Sequence, residues 1–337
     1  MVDITNANNV LEQAISWMGD DKQVALATVI STWGSSPRPM GSQLAIDETG
    51  SFVGSVSGGC IEGSVIGEAL ETISDGENRL LDFGVTNEQA WEVGLACGGD
   101  VRILVERTEE KETLRKLINE RPIAAATNIA TGEKSYVTPT NVSGNLNISV
   151  EMLKNIRAAL QHDRSTIYND EGSEIFIQVF NPALRCAIIG AVHISQALIP
   201  MAQIAGFDVT VIDPRGSFAT PTRFPNVKIN EEWPDDALRT FNPDSRTSVV
   251  TLTHDPKLDD PALEVALKTN AFYIGCLGSR RTHASRLDRL ALSGFKEIDF
   301  TRIHAPIGLD LGATSPEEIA IAILAEMIAA KHGKLNA

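Results

Sequence analysis

The sequence predicts an α/β protein whose C-terminal half is a doubly wound parallel sheet. Three observations carry this. From Leu184 onward, compact apolar runs that end at Gly190 or Asp213 alternate with segments of helical periodicity, the pattern of parallel strands joined by crossover helices. The 337 residues, at about 150 per domain, give about two domains, each large enough to close its own core. Asn181-Pro182 punctuates the chain where the pattern changes, which sets the domains at 1–182 and 183–337.

In the first half, Asn9 to Met18 carries apolar residues at helical spacing, and Val24 to Ile30 reads as a buried strand. Gln43 to Ile46 and Phe52 to Val56 are short strands around the turn Asp47-Glu48-Thr49-Gly50. Ser57-Gly58-Gly59-Cys60 leads into Ile61 to Leu70, a helical pattern. Such a turn leaves backbone N–H groups free to meet an anion. A second glycine turn, Cys97-Gly98-Gly99, precedes the strand Val101 to Glu106. Thr131 to Ser149 is polar and expected to be loop-rich, and the alternation of Ile175 to Phe180 makes the last strand of this half.

In the second half, Leu184 to Gly190, Asp208 to Asp213, Ser248 to Thr253 and Ala271 to Gly275 are strands. Helices are expected at Ile194 to Ala205, despite Pro200, and at Asp260 to Thr269. Ser315-Pro316 reads as an N-cap followed by proline at the first helical position.

Composition excludes partners before it suggests any. With 29 Lys and Arg against 44 Asp and Glu, the net charge is −15, and no basic stripe could neutralise the phosphates of a nucleic acid or an anionic membrane. No basic segment followed by an apolar stretch opens the chain, and no run of about 18 apolar residues occurs, so the reading is cytoplasmic. Cys60, Cys97, Cys186 and Cys276 lie far apart without zinc-type spacing and read as free thiols.

The carboxyl ends of the strands hold the candidate chemistry. A dinucleotide fingerprint needs three glycines, but in Gly190-Ala191-Val192-His193-Ile194-Ser195 only the first is in place, and Val192 puts a branched side chain where a phosphate would lie. Asp213, 23 residues after Gly190, is placed to bond a ribose, and Arg215 to meet a phosphate. Gly278-Ser279-Arg280-Arg281 follows a strand and could open a helix, which makes an oxyanion site of backbone N–H groups and two guanidiniums. The alternative, in which these arginines, with Arg286 and Arg289, face solvent or pair with acids, stands level with it. His193, His254 and His304 fall on loops that would gather at the same edge; each alone reads as an ordinary surface group. Cys60, at a helix start, is a candidate nucleophile or soft ligand, set against a small buried residue in a tight turn.

Taken together, several long motifs resemble the XdhC/CoxI family. Thr32 to Gly41, Gly54 to Glu62 and Cys97-Gly98-Gly99 are similar to its N-terminal signature, while Val209 to Arg215, Tyr273 to Arg281, His304 to Asp310 and Thr314 to Ala320 are similar to its C-terminal Rossmann-type domain. The stretch from about 108 to 174 carries none of these motifs. The resemblance implies an N-terminal α/β domain with a mixed sheet and a chaperone of molybdenum hydroxylases such as xanthine dehydrogenase. Such a protein binds the molybdenum cofactor, as molybdopterin or a nucleotide-extended form, shields it while a cysteine desulfurase installs its terminal sulfur, and passes it to the apoenzyme. A homodimer is also implied. On this reading the cofactor meets Ser57, Gly58, Gly59, Cys60, Cys97, Gly98, Gly99, Gly190, His193, Asp213, Arg215, Gly278 and Ser279. Arg280 or Arg281 sits on its phosphate and Cys60 or Cys97 near the metal. The family reads Gly-Ala-Gly-His-Val-Gly where this chain has Val192 and Ser195, which counts against NAD(P) at that turn. An NAD(P)-dependent oxidoreductase and a ligand-free interaction scaffold are the rival functions.

Overall fold

The computed structural model describes residues 7–34, 38–84, 100–108 and 110–335, with the side chains of 7–9 left aside. The chain divides into two compact units, Met1–Pro182 and Ala183–Ala337.

The N-terminal unit begins with α1 (Ala7–Gly19), β1 (Val24–Trp33), β2 (Gln43–Asp47), β3 (Phe52–Gly54), α2 (Glu62–Asp75), β4 (Arg79–Phe83) and β5 (Asp100–Thr108). It continues with α3 (Lys111–Asn119), β6 (Ile123–Asn128), β7 (Lys134–Val137), β8 (Val142–Gly144), α4 (Val150–Gln161), β9 (Thr166–Asp170) and β10 (Ser173–Phe180). The described strands make two sheets, β3-β2-β1-β5-β4 and β8-β7-β6-β10-β9. Their pairings are antiparallel rather than mixed.

These two sheets have one topology. Each module runs helix, three strands, helix, two strands, with its first strand at the centre. The registers match residue for residue: Thr28 pairs with Gln43 and Leu104, and Thr127 with Lys134 and Phe176. Ala25, Ala27, Ile103 and Val105 form a core with α2, and their register equivalents Ala124, Ala126, Ile175 and Ile177 form one with α4. The third strand of each ends on a glycine of positive φ, Gly54 at +102° and Gly144 at +129°. A Cβ there would lie 2.3 Å from the carbonyl oxygen of Gln43 or Lys134, so both positions demand glycine. The N-terminal unit is thus a structural duplication. Its opposite sheet faces meet through Leu26, Ala125 and Phe180 and through Ile30, Leu104 and Phe176. That is why β1, covered on both faces, reads as an unbroken apolar run. The expected loop at 131–149 instead holds β7 and β8. Both strands are short, and in β7 a core position is taken by buried Ser135, whose hydroxyl donates to the Leu146 carbonyl at 2.8 Å, so no hydrophobic period marks them.

The second unit contains β11 (Leu184–Ile189), α5 (His193–Ile204), β12 (Phe207–Ile212), β13 (Lys228–Asn230), α6 (Pro234–Phe241), β14 (Thr247–Thr251) and α7 (Pro256–Ala266). It ends with β15 (Tyr273–Cys276), α8 (Arg280–Leu292), α9 (Glu297–Phe300), β16 (Ile303–His304) and α10 (Pro316–Lys331). The sheet is parallel in the order β13-β12-β11-β14-β15-β16. This is the doubly wound dinucleotide-fold order, whose direction reverses between β11 and β14. Alternate residues of β11 face opposite cores: Cys186 and Ile188 pack with α5 and α10, Ala187 and Ile189 with α6, α7 and α8. Among the described residues no helix is long and apolar enough to cross a membrane.

Candidate functional site

The glycine turn before α2 is built around an anion of its own. The carboxylate of Glu62, at the first position of the helix, accepts from the Ser55 hydroxyl (2.8 Å), from the backbone N–H of Val56 (3.3 Å), Ser57 (3.0 Å), Gly58 (3.1 Å) and Gly59 (2.9 Å), and from the Ser57 hydroxyl. The Ser57 hydroxyl in turn accepts from the N–H groups of Cys60 and Ile61 at 3.0 and 3.1 Å. The donors expected to be free for a ligand are therefore engaged. Burial works against the charge of Glu62, but the bonds from Ser57, Ser55 and the turn outweigh it and hold its pKa at about 2. What the turn leaves outward is Cys60, whose thiol is exposed. Cys97, Gly98 and Gly99 lie outside the described residues.

In the second unit, Gly190 ends β11 with φ +111°, and a Cβ there would fall 2.7 Å from Thr253 Cγ2, beyond β14. The donors of this turn are also engaged. The Ala191 N–H donates to Asp213 Oδ2 at 2.8 Å and the Val192 N–H to the Ser195 hydroxyl at 3.1 Å, while that hydroxyl donates to the Gly190 carbonyl. Ser195, which departs from the family pattern, thus closes the turn with its own side chain. Asp213 is buried and forms a bidentate pair with Arg215 (2.8 and 2.7 Å). Burial opposes its charge, and the bonds from Arg215 and Ala191 lower its pKa nonetheless. Arg215, stacked on Phe218 at 4.4 Å, faces this carboxylate rather than an open phosphate position. His193 and His254 are exposed, while His304 stacks on Tyr273 with ring centroids 4.8 Å apart. Among the described residues no three His, Cys, Asp or Glu side chains converge to hold a metal ion.

The α8 start is different. The Ser279 hydroxyl accepts from the Thr282 N–H at 3.1 Å, which caps the helix. Gly278 has φ +145°, and a Cβ there would lie 3.3 Å from the Thr282 side chain and 3.6 Å from the Arg286 guanidinium. Arg280 and Arg281 are exposed and pair with no acid among the described residues. The four arginines of α8 therefore divide. Arg289 holds Asp260 at 2.5 and 3.1 Å, and Arg286 is buried, donating to the Leu277 carbonyl at 3.0 Å, with Asp259 3.9 Å away. Only the first two leave their charge outward, beside the first N–H groups of a 13-residue helix.

Three features were not read from the sequence. Glu62 ends a recognisable motif, but its reach back to the turn is a side-chain event. Arg286 sits one turn before Leu290 on the apolar stripe of α8, a signal of burial that was available. Asp259, buried below Thr253, accepts from the Thr253 hydroxyl at 2.7 Å, and burial pushes its pKa up. The His304-to-Asp310 motif also gains a structural account. Buried Glu326 of α10 accepts from the Tyr273 hydroxyl at 2.5 Å and the Gly308 N–H at 2.7 Å, pinning the loop to the sheet.

Both units of the chain resemble known proteins. Residues 186–327 match the XdhC Rossmann domain and residues 17–84 the XdhC and CoxI family. A molybdenum cofactor insertion chaperone of Escherichia coli, PaoD, is 28% identical over 94% of this chain and 86% of its own length. A Bacillus subtilis protein described as a probable xanthine dehydrogenase subunit is 28% identical over 92% of this chain and 93% of its own. A crystal structure described as a xanthine dehydrogenase from Bacillus halodurans superimposes with a TM-score of 0.79 at 26% identity, covering 100% of this chain and 98% of that one. Both halves of the chain, each with its own motifs, thus match models of the XdhC and CoxI family.

Proposed function

We propose that this protein binds the molybdenum cofactor, supports its sulfuration and delivers it to an apo molybdenum hydroxylase of the xanthine dehydrogenase type. The observation that carries the reading is the likeness to the insertion chaperone PaoD along nearly the whole chain. The residues present fit parts of such a cofactor. A phosphate suits the first turn of α8, where Arg280 and Arg281 have no acid partner among the described residues and stand at a helix N-terminus. A soft metal centre suits the exposed Cys60 thiol, with Cys97 as a second candidate. When bound, the cofactor supplies the redox-active metal; the chain's part is to hold it, exclude water and present it to a cysteine desulfurase and then to the client. The engaged donors of the Gly190 turn disfavour an NAD(P)-dependent oxidoreductase, because Ala191 and Val192 N–H groups already bond Asp213 and Ser195. A homodimer in the cytoplasm is the form we expect to act.

The test is anaerobic purification with a client hydroxylase, followed by molybdenum and pterin analysis. The Arg280→Ala, Arg281→Ala double variant should retain at least tenfold less cofactor at unchanged melting temperature. Equal retention refutes the phosphate assignment. Undiminished retention in Cys60→Ser, Cys97→Ser removes the thiols from the site.

A further inference from the structure

The duplication in the N-terminal unit encloses a cleft of about 890 Å³ between the inner faces of its two sheets. It is lined by three pairs of register equivalents: Leu26 with Ala125, Gln43 with Lys134, and Glu106 with Gln178. The volume falls in the range of small-molecule sites, about 300–1,000 Å³.

We infer that this cleft is a binding site for a flat, uncharged nitrogen heterocycle that carries N–H donors on its rim, of the 2-amino-4-oxopteridine class. Four observations specify that ligand. First, apolar side chains of both sheets line the cleft, Leu26 and Leu104 on one and Ala125 and Tyr136 on the other, so a flat ring can lie along an apolar wall. Second, its central charges cancel: the Lys134 ammonium donates to Glu106 Oε2 at 2.8 Å, which disfavours a phosphate there. Third, acceptors remain. Gln43 is only 6% exposed, yet its Oε1 has no hydrogen-bond partner among the described residues, because its amide nitrogen is the end turned to the Thr28 hydroxyl at 3.3 Å. Leaving a buried amide oxygen unpaired is costly, and a ligand N–H would satisfy it. Fourth, Glu106 Oε1 accepts nothing among the described residues, and a carboxylate oxygen is the favoured partner of an amino group. Gln43 and Glu106 stand on the two strands flanking β1, and both line the cleft. No motif of the sequence marks this cleft, since half of it comes from the second module.

The inference rests on the proposal that the chain holds a pterin cofactor, and it assigns the ring end of that ligand to the N-terminal unit. The test titrates the full-length chain with pterin and with lumazine, which replaces the 2-amino group by an oxygen, reading ligand fluorescence. Pterin should bind at least tenfold tighter than lumazine; Glu106→Gln should remove that preference, and Gln43→Leu should weaken pterin tenfold or more, both at a near-native melting temperature. Equal affinity for the two rings, or pterin binding indifferent to both variants, overturns the inference. The two ideas fail separately. Cofactor retention without the pterin preference sinks the site and leaves the function, whereas a Glu106-dependent preference in a chain that retains no cofactor sinks the function and leaves the site.

Discussion

Glu62→Gln is the sharpest perturbation this structure offers, because one isosteric change discharges the anion around which the glycine turn is folded. The carboxyl, 8% exposed, has its pKa lowered from 4.5 to about 2. A shift of that size corresponds to roughly 3 kcal/mol of native-state stabilisation. Since the folded pKa is the depressed one, this contribution is fully present above pH 4.5 and is lost as the pH falls through 2. By the same linkage it has dropped to roughly 1.5 kcal/mol at pH 3. Glutamine resembles the protonated acid, and it also turns an amide NH₂ toward N–H groups that had an acceptor. The expected outcome is a variant destabilised by roughly 3 kcal/mol at pH 7, with the gap to wild type narrowing by about half at pH 3. Urea denaturation at pH 7, 5, 4 and 3, followed by tryptophan fluorescence and far-ultraviolet circular dichroism, measures it. A gap that stays constant with pH would show that the loss is one of packing, and a gap under about 0.5 kcal/mol at pH 7, the size of an ordinary surface substitution, would refute the account of the turn.

Two further outcomes concern the cysteines and the Gly190 turn. With a thiol reagent at pH 7.5, Cys60 should label in the native protein while Cys186 and Cys276 do not, since both are buried and burial pushes each thiol up to about 12; mass spectrometry of labelled peptides would contradict this if either buried cysteine reacted as fast as Cys60. Gly190→Ala should destabilise by roughly 1–3 kcal/mol in urea titrations, since a Cβ at φ +111° meets Thr253 Cγ2 at 2.7 Å, and an unchanged midpoint would show that the turn tolerates a side chain.

The parallel sheet was legible because its strands are buried on both faces and so appear as apolar runs, each stopped by a residue at the carboxyl edge such as Gly190 or Asp213. The edge residues themselves were legible as positions but not as bonds. Asp213 reads as the end of a strand and Arg215 as a residue of the loop after it, and both follow β12; yet which charge meets a ligand and which meets its neighbour depends on rotamers, and here they satisfy one another. The same holds for α8, where Arg280, Arg281, Arg286 and Arg289 are chemically alike in the sequence and the helix gives them three different surroundings. The second module was hidden for another reason. Its strands β7 and β8 are short, with only β8 at a sheet edge, and nothing in 131–149 alternates strongly enough to outweigh its polarity.

Comparing the two modules separates what the fold requires from what the first copy adds. Both must start a helix after a third strand ending in glycine. The second copy does this with one residue, Ser149, whose hydroxyl accepts from the Met152 N–H at 3.1 Å. The first copy uses Ser55, Ser57, two glycines and the carboxylate of Glu62 for the same step. A helix start does not need that apparatus, as α4 demonstrates. Its effect is to fix a short backbone loop on a buried anion and to present Cys60 outward at one position. The glycine motif is therefore legible because it exceeds the needs of folding, and its absence from the second copy is why that copy, equal in architecture, carries no motif at all.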